Sequence, residues 1–249
     1  MIPYLRKEKI MTLLHEHDVI TIDHIKEHLP EISISTLRRD LKKLEEESLV
    51  IMLSGGAVKL RTPSEDLPVS AKETMHKEEK DIIAKLAADL VEDGDVVYLD
   101  SGTTCTTLMK LISKKKITIV TSNTAIMELN YILDSEVIFL GGSLNSSLSS
   151  VNGPLTDNNI KLFNYDKAFL GANGISAKNG VSTPSLIEAN KKASVIDKSK
   201  EVYLLCDSSK FNKVFMARSF GVEQCIVISD KYDEDIGSLT KMITPKSKK

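Results

Sequence analysis

The chain has 249 residues, 41% hydrophobic and 27% charged, with 33 Lys/Arg against 35 Asp/Glu for a formal charge of −2. That length and balance describe a globular chain of one large domain or two unequal ones, long enough to bury a core. They exclude nucleic-acid affinity through bulk charge, and no apolar run approaches the ~20 residues needed to span a bilayer, so no membrane partner is expected. Met1 to Arg6 lacks the apolar stretch and cleavage site of a signal peptide, so the expected location is the cytoplasm. Cys105, Cys206 and Cys225 are odd in number and have no metal-ligand spacing. Reduced, mostly buried thiols and no metal or cofactor are the expectation.

In chain order, the first stretch has helical periodicity. Ile10, Leu13 and Leu14 form one apolar stripe; Ile22, Ile25 and Leu29 form a second, with Thr21 placed to cap it and Pro30 to help stop it. His15, His17, His24 and His28 fall on these segments without a cysteine or clustered carboxylate, and are read as solvated helix surface. A third helix starts at a Ser33 N-cap and runs to about Glu47. Leu49–Leu53, the turn Ser54-Gly55-Gly56 and Ala57–Leu60 then read as a β-hairpin. Three helices and a hairpin within residues 1–60 make a winged helix-turn-helix.

On the third helix, at ~100° per residue, Leu37, Leu41 and Leu44 share one narrow stripe. Ser35, Arg38, Arg39, Lys42 and Lys43 fall on the opposite half. Residues 1–62 hold ten Lys/Arg and ten Asp/Glu, so any DNA-reading surface must come from segregating charge onto one face, which this helix does. Arg grips guanine edges bidentately, and Lys and Arg neutralise phosphates.

Residues 61–74, with Pro63 and Pro68 and no usable apolar period, read as a linker with extended stretches. Residues 75–249 then alternate helix and strand. The expected series is helix 77–91, strand 96–99, helix 104–112, strand 117–120, helix 124–133 and strand 137–140. It continues with strand 168–170, helix 186–199, strand 202–205 and strand 225–229, and ends in a tail, 246–249. Such alternation argues for a mostly parallel sheet flanked by helices.

Ligands in open α/β sheets bind at the carboxyl ends of strands. Strand 96–99 ends in Asp100-Ser101-Gly102-Thr103-Thr104 directly before a helix, where free N–H groups, a positive dipole and three hydroxyls suit a phosphate. Asp100, repelled by phosphate, is expected to accept from sugar hydroxyls instead. Other strand ends lead into Asn123, into Gly141-Gly142, into Asn173 with its neighbouring glycines, and into Asp207-Ser208-Ser209-Lys210. Ordinary turns account for any one of these and account poorly for four together.

The run Ile32-Ser33-Ile34-Ser35-Thr36-Leu37-Arg38-Arg39-Asp40-Leu41, then Lys43-Leu44-Glu45 and Ser54-Gly55-Gly56-Ala57, resembles the DNA-binding signature of the DeoR family of bacterial regulators. The likeness continues through the strand-end motifs over nearly the whole chain. It implies that Thr36, Arg38 and Arg39 contact DNA while Asp40 braces the helix. Met52 and Ser54 stand where the family often has a basic residue and a His, which implies weaker wing contacts. The resemblance implies an α/β sensor similar in fold to ribose-5-phosphate isomerase and responsive to phosphorylated sugars or related metabolites. Carried over by position, Asp100, Gly102, Thr103 and Thr104 would form the phosphate loop, with Asn123, Gly141, Gly142 and Asn173 lining the pocket. Lys210 would offer a cation, and Glu188 and Lys192 would approach from a helix, where Ala193 replaces the family's usual second basic residue. The expected partners are double-stranded operator DNA, a small phosphorylated effector, and further copies of the chain in a homodimer or homotetramer. Two other readings stand beside this repressor: a sugar-phosphate isomerase-like enzyme using Asp100, Glu188 or Lys210 for proton transfer, and a module that docks its basic helix on an acidic protein.

Overall fold

The computed structural model describes residues 2–47, 49–61, 66–128 and 134–245. It divides into two compact units, residues 1–67 and 68–249. No helix among the described residues is long and apolar enough to cross a membrane.

The first unit is built from α1 (Pro3–Glu16), β1 (Ile20–Thr21), α2 (Ile22–His28), α3 (Ile34–Glu46), β2 (Val50–Met52) and β3 (Ala57–Leu60). Thr21 accepts the His24 N–H and Ser33 accepts the Thr36 N–H, so both expected caps are made. Ile10, Leu14, Ile25, Leu29, Leu37, Leu41, Leu44, Val50 and Val58 close one core. The antiparallel hairpin expected from sequence gains a third strand, because β1 pairs with β3. That two-residue strand is too short to leave an alternating pattern. His15, His17 and His28 are exposed, as expected, whereas His24 is half-buried: its Nε2 is buried and its ring lies edge-on to His17 and tilted against His28. Among the described residues no cluster of three metal-ligating side chains occurs.

The second unit opens with α4 (Val69–Thr74), a helix inside the stretch read as an extended linker. It buries no side chain, so it had no apolar period to show. Then follow α5 (Lys77–Ala88), β4 (Val96–Leu99), α6 (Thr103–Ile112), β5 (Thr118–Thr121), β6 (Glu136–Phe139), β7 (Ser143–Asn145), β8 (Ser150–Asn152), α7 (Pro154–Ile160) and β9 (Tyr165–Gly171). After them come β10 (Gly174–Ser176), β11 (Gly180–Thr183), α8 (Leu186–Ile196), β12 (Ser199–Leu205), β13 (Ala217–Phe220), β14 (Ile226–Ile228), α9 (Glu234–Gly237) and β15 (Met242–Ile243). Within the expected helix 124–133, residues 124–128 form a 3₁₀ turn instead. The remainder, like the tail 246–249, lies outside the described residues.

Among the described residues, seven strands form a parallel sheet in the order β15-β14-β12-β9-β4-β5-β6. One face is covered by α5 and α6 through Ile83, Ala87, Leu108 and Met109. The other is covered by α7, α8 and the small sheet β10-β11-β13 through Ile160, Val195, Ile175 and Phe220. Coverage on both sides explains why Val97, Tyr98 and Leu99 form a continuous buried run rather than an alternating one. From β4 the chain order runs outward through β5 to β6, and from β9 it runs the other way through β12 to β15. The order therefore reverses between β4 and β9, and that crevice is where an open α/β sheet offers a site.

Candidate nucleic-acid interface and effector site

The basic face of α3 is built by its hydrophobic one. Leu37, Leu41 and Leu44 are sealed into the core, which leaves Ser35, Arg38, Arg39, Lys42 and Lys43 exposed and Thr36 half-buried. Among the described residues the four cations pair with no carboxylate. Ser35 and Thr36 hydroxyls lie 3.0 and 2.9 Å from the Ser33 hydroxyl, so these two candidate contacts cluster at the helix start. Asp40 lies at the edge of the core, where Arg6 of α1 grips it with two N–H groups, one Nη2–Oδ1 distance being 2.9 Å. The Asp40 hydrogen bond opposes burial and raises the Arg6 pKa. Glu45 is buried too and accepts the Met52 N–H at 3.0 Å, tying the wing to α3; burial pushes its carboxyl up. Arg6 and Glu45 were not legible as braces, since their partners lie 34 and 7 residues away.

In the second unit, the crevice between β4 and β9 holds four buried charges. Asp100 is 0% exposed: its Oδ1 accepts the Ser101 N–H at 2.9 Å, and its Oδ2 accepts the Gly171 N–H at 3.0 Å and the Lys192 ammonium. Burial works to raise the Asp100 pKa, but the charges of Lys192 and Lys191 outweigh it and hold the carboxyl below its ordinary value. Burial likewise opposes the charged form of Lys192, and Asp100 and Glu188 overcome it, raising its pKa. Both Asp100 oxygens thus serve the protein, Oδ2 holding Lys192, while the carboxylate's remaining lone pairs can still accept from a ligand hydroxyl. Glu188 and Lys191 form the second pair, 3.0 Å apart. Lys191 is fully buried, and its Nζ has oxygens of Ser122, Ser150, Asn152, Glu188 and Ser101 within 3.1, 2.8, 2.9, 3.2 and 3.3 Å.

Beside these pairs α6 begins. Gly102 is its N-cap, no side chain caps the first turn, and a Cβ built on Gly102 meets nothing within 4 Å. The open space over Gly102 thus lies at the positive end of a ten-residue helix, with Thr103 half-buried and Thr104 buried in its first turn. Asn123 is buried nearby, its Nδ2 donating to Thr106 Oγ1 at 2.9 Å.

The remaining expected residues stand past the ends of three strands, β6, β9 and β12. Gly141 and Gly142 form the root of the β7–β8 hairpin: Thr156 donates to the Gly141 carbonyl at 2.8 Å, and Gly142 has φ 150°, where an added Cβ would lie 2.1 Å from Thr156 Oγ1. Asn173 is half-buried just past β9. Lys210 stands at the end of β12, two strands from β4 and so roughly 10 Å across the sheet, where it and Lys80 share the field of Asp207. Lys191, Ser122, Ser150 and Asn152 were missed. The α8 wheel carries a signal for Lys191: the buried arc centres on Glu188 and Val195, with Lys191 and Lys192 flanking it. β7 and β8 are Ser/Asn-rich and leave none.

Comparison with known proteins covers both units. The DeoR-like helix-turn-helix domain family matches residues 6–62, and the DeoR C terminal sensor domain family matches residues 75–231. The uncharacterized HTH-type transcriptional regulator FruR of Bacillus subtilis is 32% identical over 92% of this chain and 91% of its own length. The lactose phosphotransferase system repressor of Staphylococcus epidermidis is 33% identical over 84% of each chain. Among solved structures, ribose 5-phosphate isomerase A of Methanocaldococcus jannaschii superposes over 54% of each chain with a TM-score of 0.40 and 18% identity, a likeness too faint to carry an argument.

Proposed function

The chain belongs to the DeoR family of DNA-binding transcriptional regulators, and we propose that it is a repressor of a carbohydrate-utilisation operon, released from DNA by a phosphorylated sugar or polyol. The observation that carries the effector reading is the uncapped start of α6 at the reversal point of the sheet, with open space over Gly102. A phosphate there takes the N–H groups of Gly102, Thr103 and Thr104 and the field of the helix end. The buried Lys191 and Lys192 lie behind it on α8, and Ser101 and Asn123 are the polar groups nearest the sugar. The operator is gripped by Arg38, Arg39, Lys42 and Lys43, with Ser35 and Thr36 at the start of the same helix. One small winged unit neutralises few phosphates, so a homodimer or homotetramer reading repeated half-sites supplies the specificity.

A sensor rather than an enzyme is favoured by the state of the carboxylates. Asp100 is salt-paired and held below its ordinary pKa, and Glu188 is bonded to Lys191 and Ser150, so both are poor bases for proton abstraction. Isomerase assays on the compounds that bind are expected to show no turnover.

Calorimetry with sugar phosphates, the matching free sugars and inorganic phosphate tests the effector reading. At least one phosphorylated compound is expected to bind about tenfold or more tightly than its free sugar, roughly one charge-assisted contact's worth. Thr103→Val with Thr104→Val removes two donors at nearly constant volume and should erase most of that preference. Equal binding of phosphorylated and free sugars, or an unaltered response in the double variant, contradicts the phosphate site.

A further inference from the structure

The β7–β8 hairpin touches two places that matter. Through β8 it enters the buried network: Ser150 Oγ lies 2.8 Å from both Lys191 Nζ and Ser101 Oγ and 3.0 Å from Glu188 Oε1, and Asn152 Oδ1 accepts from Lys191 at 2.9 Å. At its tip, the Ser147 carbonyl accepts the Val69 N–H at 2.9 Å. Val69 is the first residue of α4, two residues past Leu67, where the first unit ends. The β7 arm is exposed, with Leu144 62% open.

Two features make this hairpin a movable part. First, an ammonium has three protons, while oxygens of five side chains crowd Lys191. A ligand oxygen that claims Lys191 or Ser101 therefore competes with the hairpin oxygens of Ser150 and Asn152 for a proton. Second, α4 buries no side chain of its own. Polar fastenings carry much of its placement: Ser147 at its start, and at its far end Lys80, which donates to the Met75 carbonyl at 2.6 Å and to that of Lys72.

We infer that the β7–β8 hairpin is a strap reporting the state of the effector site to α4, and that Lys191 is the positioning residue that sets the strap. The purpose of the strap rests on the effector reading above, but its existence can be tested without a ligand. The first variant is Val69→Pro. Proline is well tolerated at the first helical position, and Pro68 already has ψ 147°, the conformation a following proline requires. The substitution therefore removes one donor and leaves the helix. The second is Ser150→Ala, which removes the oxygen shared by Lys191, Ser101 and Glu188.

Fluorescence anisotropy of the full, ligand-free chain on its own upstream DNA gives the readout. Each single variant is expected to shift operator affinity in the same direction, by about fivefold or more. The double variant is expected to shift it no further, because the two changes act in series. Hydrogen exchange at the Val69 amide in Ser150→Ala should be faster than in the parent chain; if that variant does not fold, Asn152→Ala takes its place. Wild-type operator affinity in Val69→Pro, single effects that multiply, or unchanged exchange at Val69 each overturns the strap. Calorimetry of Val69→Pro with glucose 6-phosphate, fructose 1-phosphate and ribose 5-phosphate separates the two claims. Under the strap account the variant's affinities shift from the parent's, because the coupling is reciprocal; unchanged affinities count against the strap, and failure of all three to bind the parent sinks the effector reading while leaving the anisotropy cycle to decide the strap.

Discussion

The two units handle charge in opposite ways. On α3 the cations are exposed and, among the described residues, have no carboxylate partner, the state in which we propose they meet phosphates and base edges. In the sensor the charges are withdrawn from water and neutralise one another, Asp100 against Lys192 and Glu188 against Lys191. Removing a charge from the first surface should weaken binding and spare the fold. Removing one from the second should damage the fold, because its partner is left buried alone.

Lys192→Met breaks this contrast most sharply. It leaves the Asp100 carboxylate at 0% exposure without its ammonium, a change expected to cost about 3–5 kcal/mol in urea denaturation of the sensor. Adding Asp100→Asn should recover part of that loss. An equal loss in the single and double variants would show that the pair is not what the substitution breaks. The pair has an acid signature as well. Asp100 is held below its ordinary pKa, so its stabilisation is present above the usual carboxylate range and is lost as pH falls through the depressed value.

Arg38→Ala and Arg39→Ala sharpen the other side. Each lost bidentate base contact should cost roughly 1–3 kcal/mol of operator binding, while the thermal midpoint stays within a degree or two of the parent because neither side chain touches the Leu37/Leu41/Leu44 seam. Gel shifts and a melting curve on the same preparations test both halves. A large fall in midpoint with operator affinity intact would reverse the assignment.

The contrast also explains what the sequence could disclose. Amphipathic helices announce themselves locally: α3 puts Leu37, Leu41 and Leu44 on one face and its cations on the other within 13 residues. Buried strands 96–99 and 202–205 and the Gly102 turn were legible for the same reason. The sensor's charge pairs were not, since Asp100 and Lys192 are 92 residues apart and only the sheet order brings them together. Its place at a strand end marks Asp100 as a site candidate, but its pairing with Lys192 leaves no local trace. The short elements, α4 and β7–β8 among them, carry too few apolar residues to show any period.

A smaller effect lies at Lys80, where burial, aided by Lys210 and Lys72 and opposed by Asp207, pushes the ammonium down to about 8. In the unfolded chain it titrates near its ordinary 10.5, so between those values the unfolded state binds more protons and stability should rise with pH. Urea midpoints at about pH 7 and about pH 10 should show the rise in the parent and a smaller one in Lys80→Met. Equal rises would place the titration elsewhere.

The most direct test of the central claim, that exposed charge reads DNA under the control of a phosphate held in the sensor, is one anisotropy titration of the full chain on its upstream DNA. It is run with and without the sugar phosphate that calorimetry selects, against its free sugar. The account predicts that the phosphorylated compound weakens operator binding about 5- to 150-fold, the range of a typical coupling free energy, and that the free sugar does not. The same affinity with and without the bound phosphate compound would contradict it.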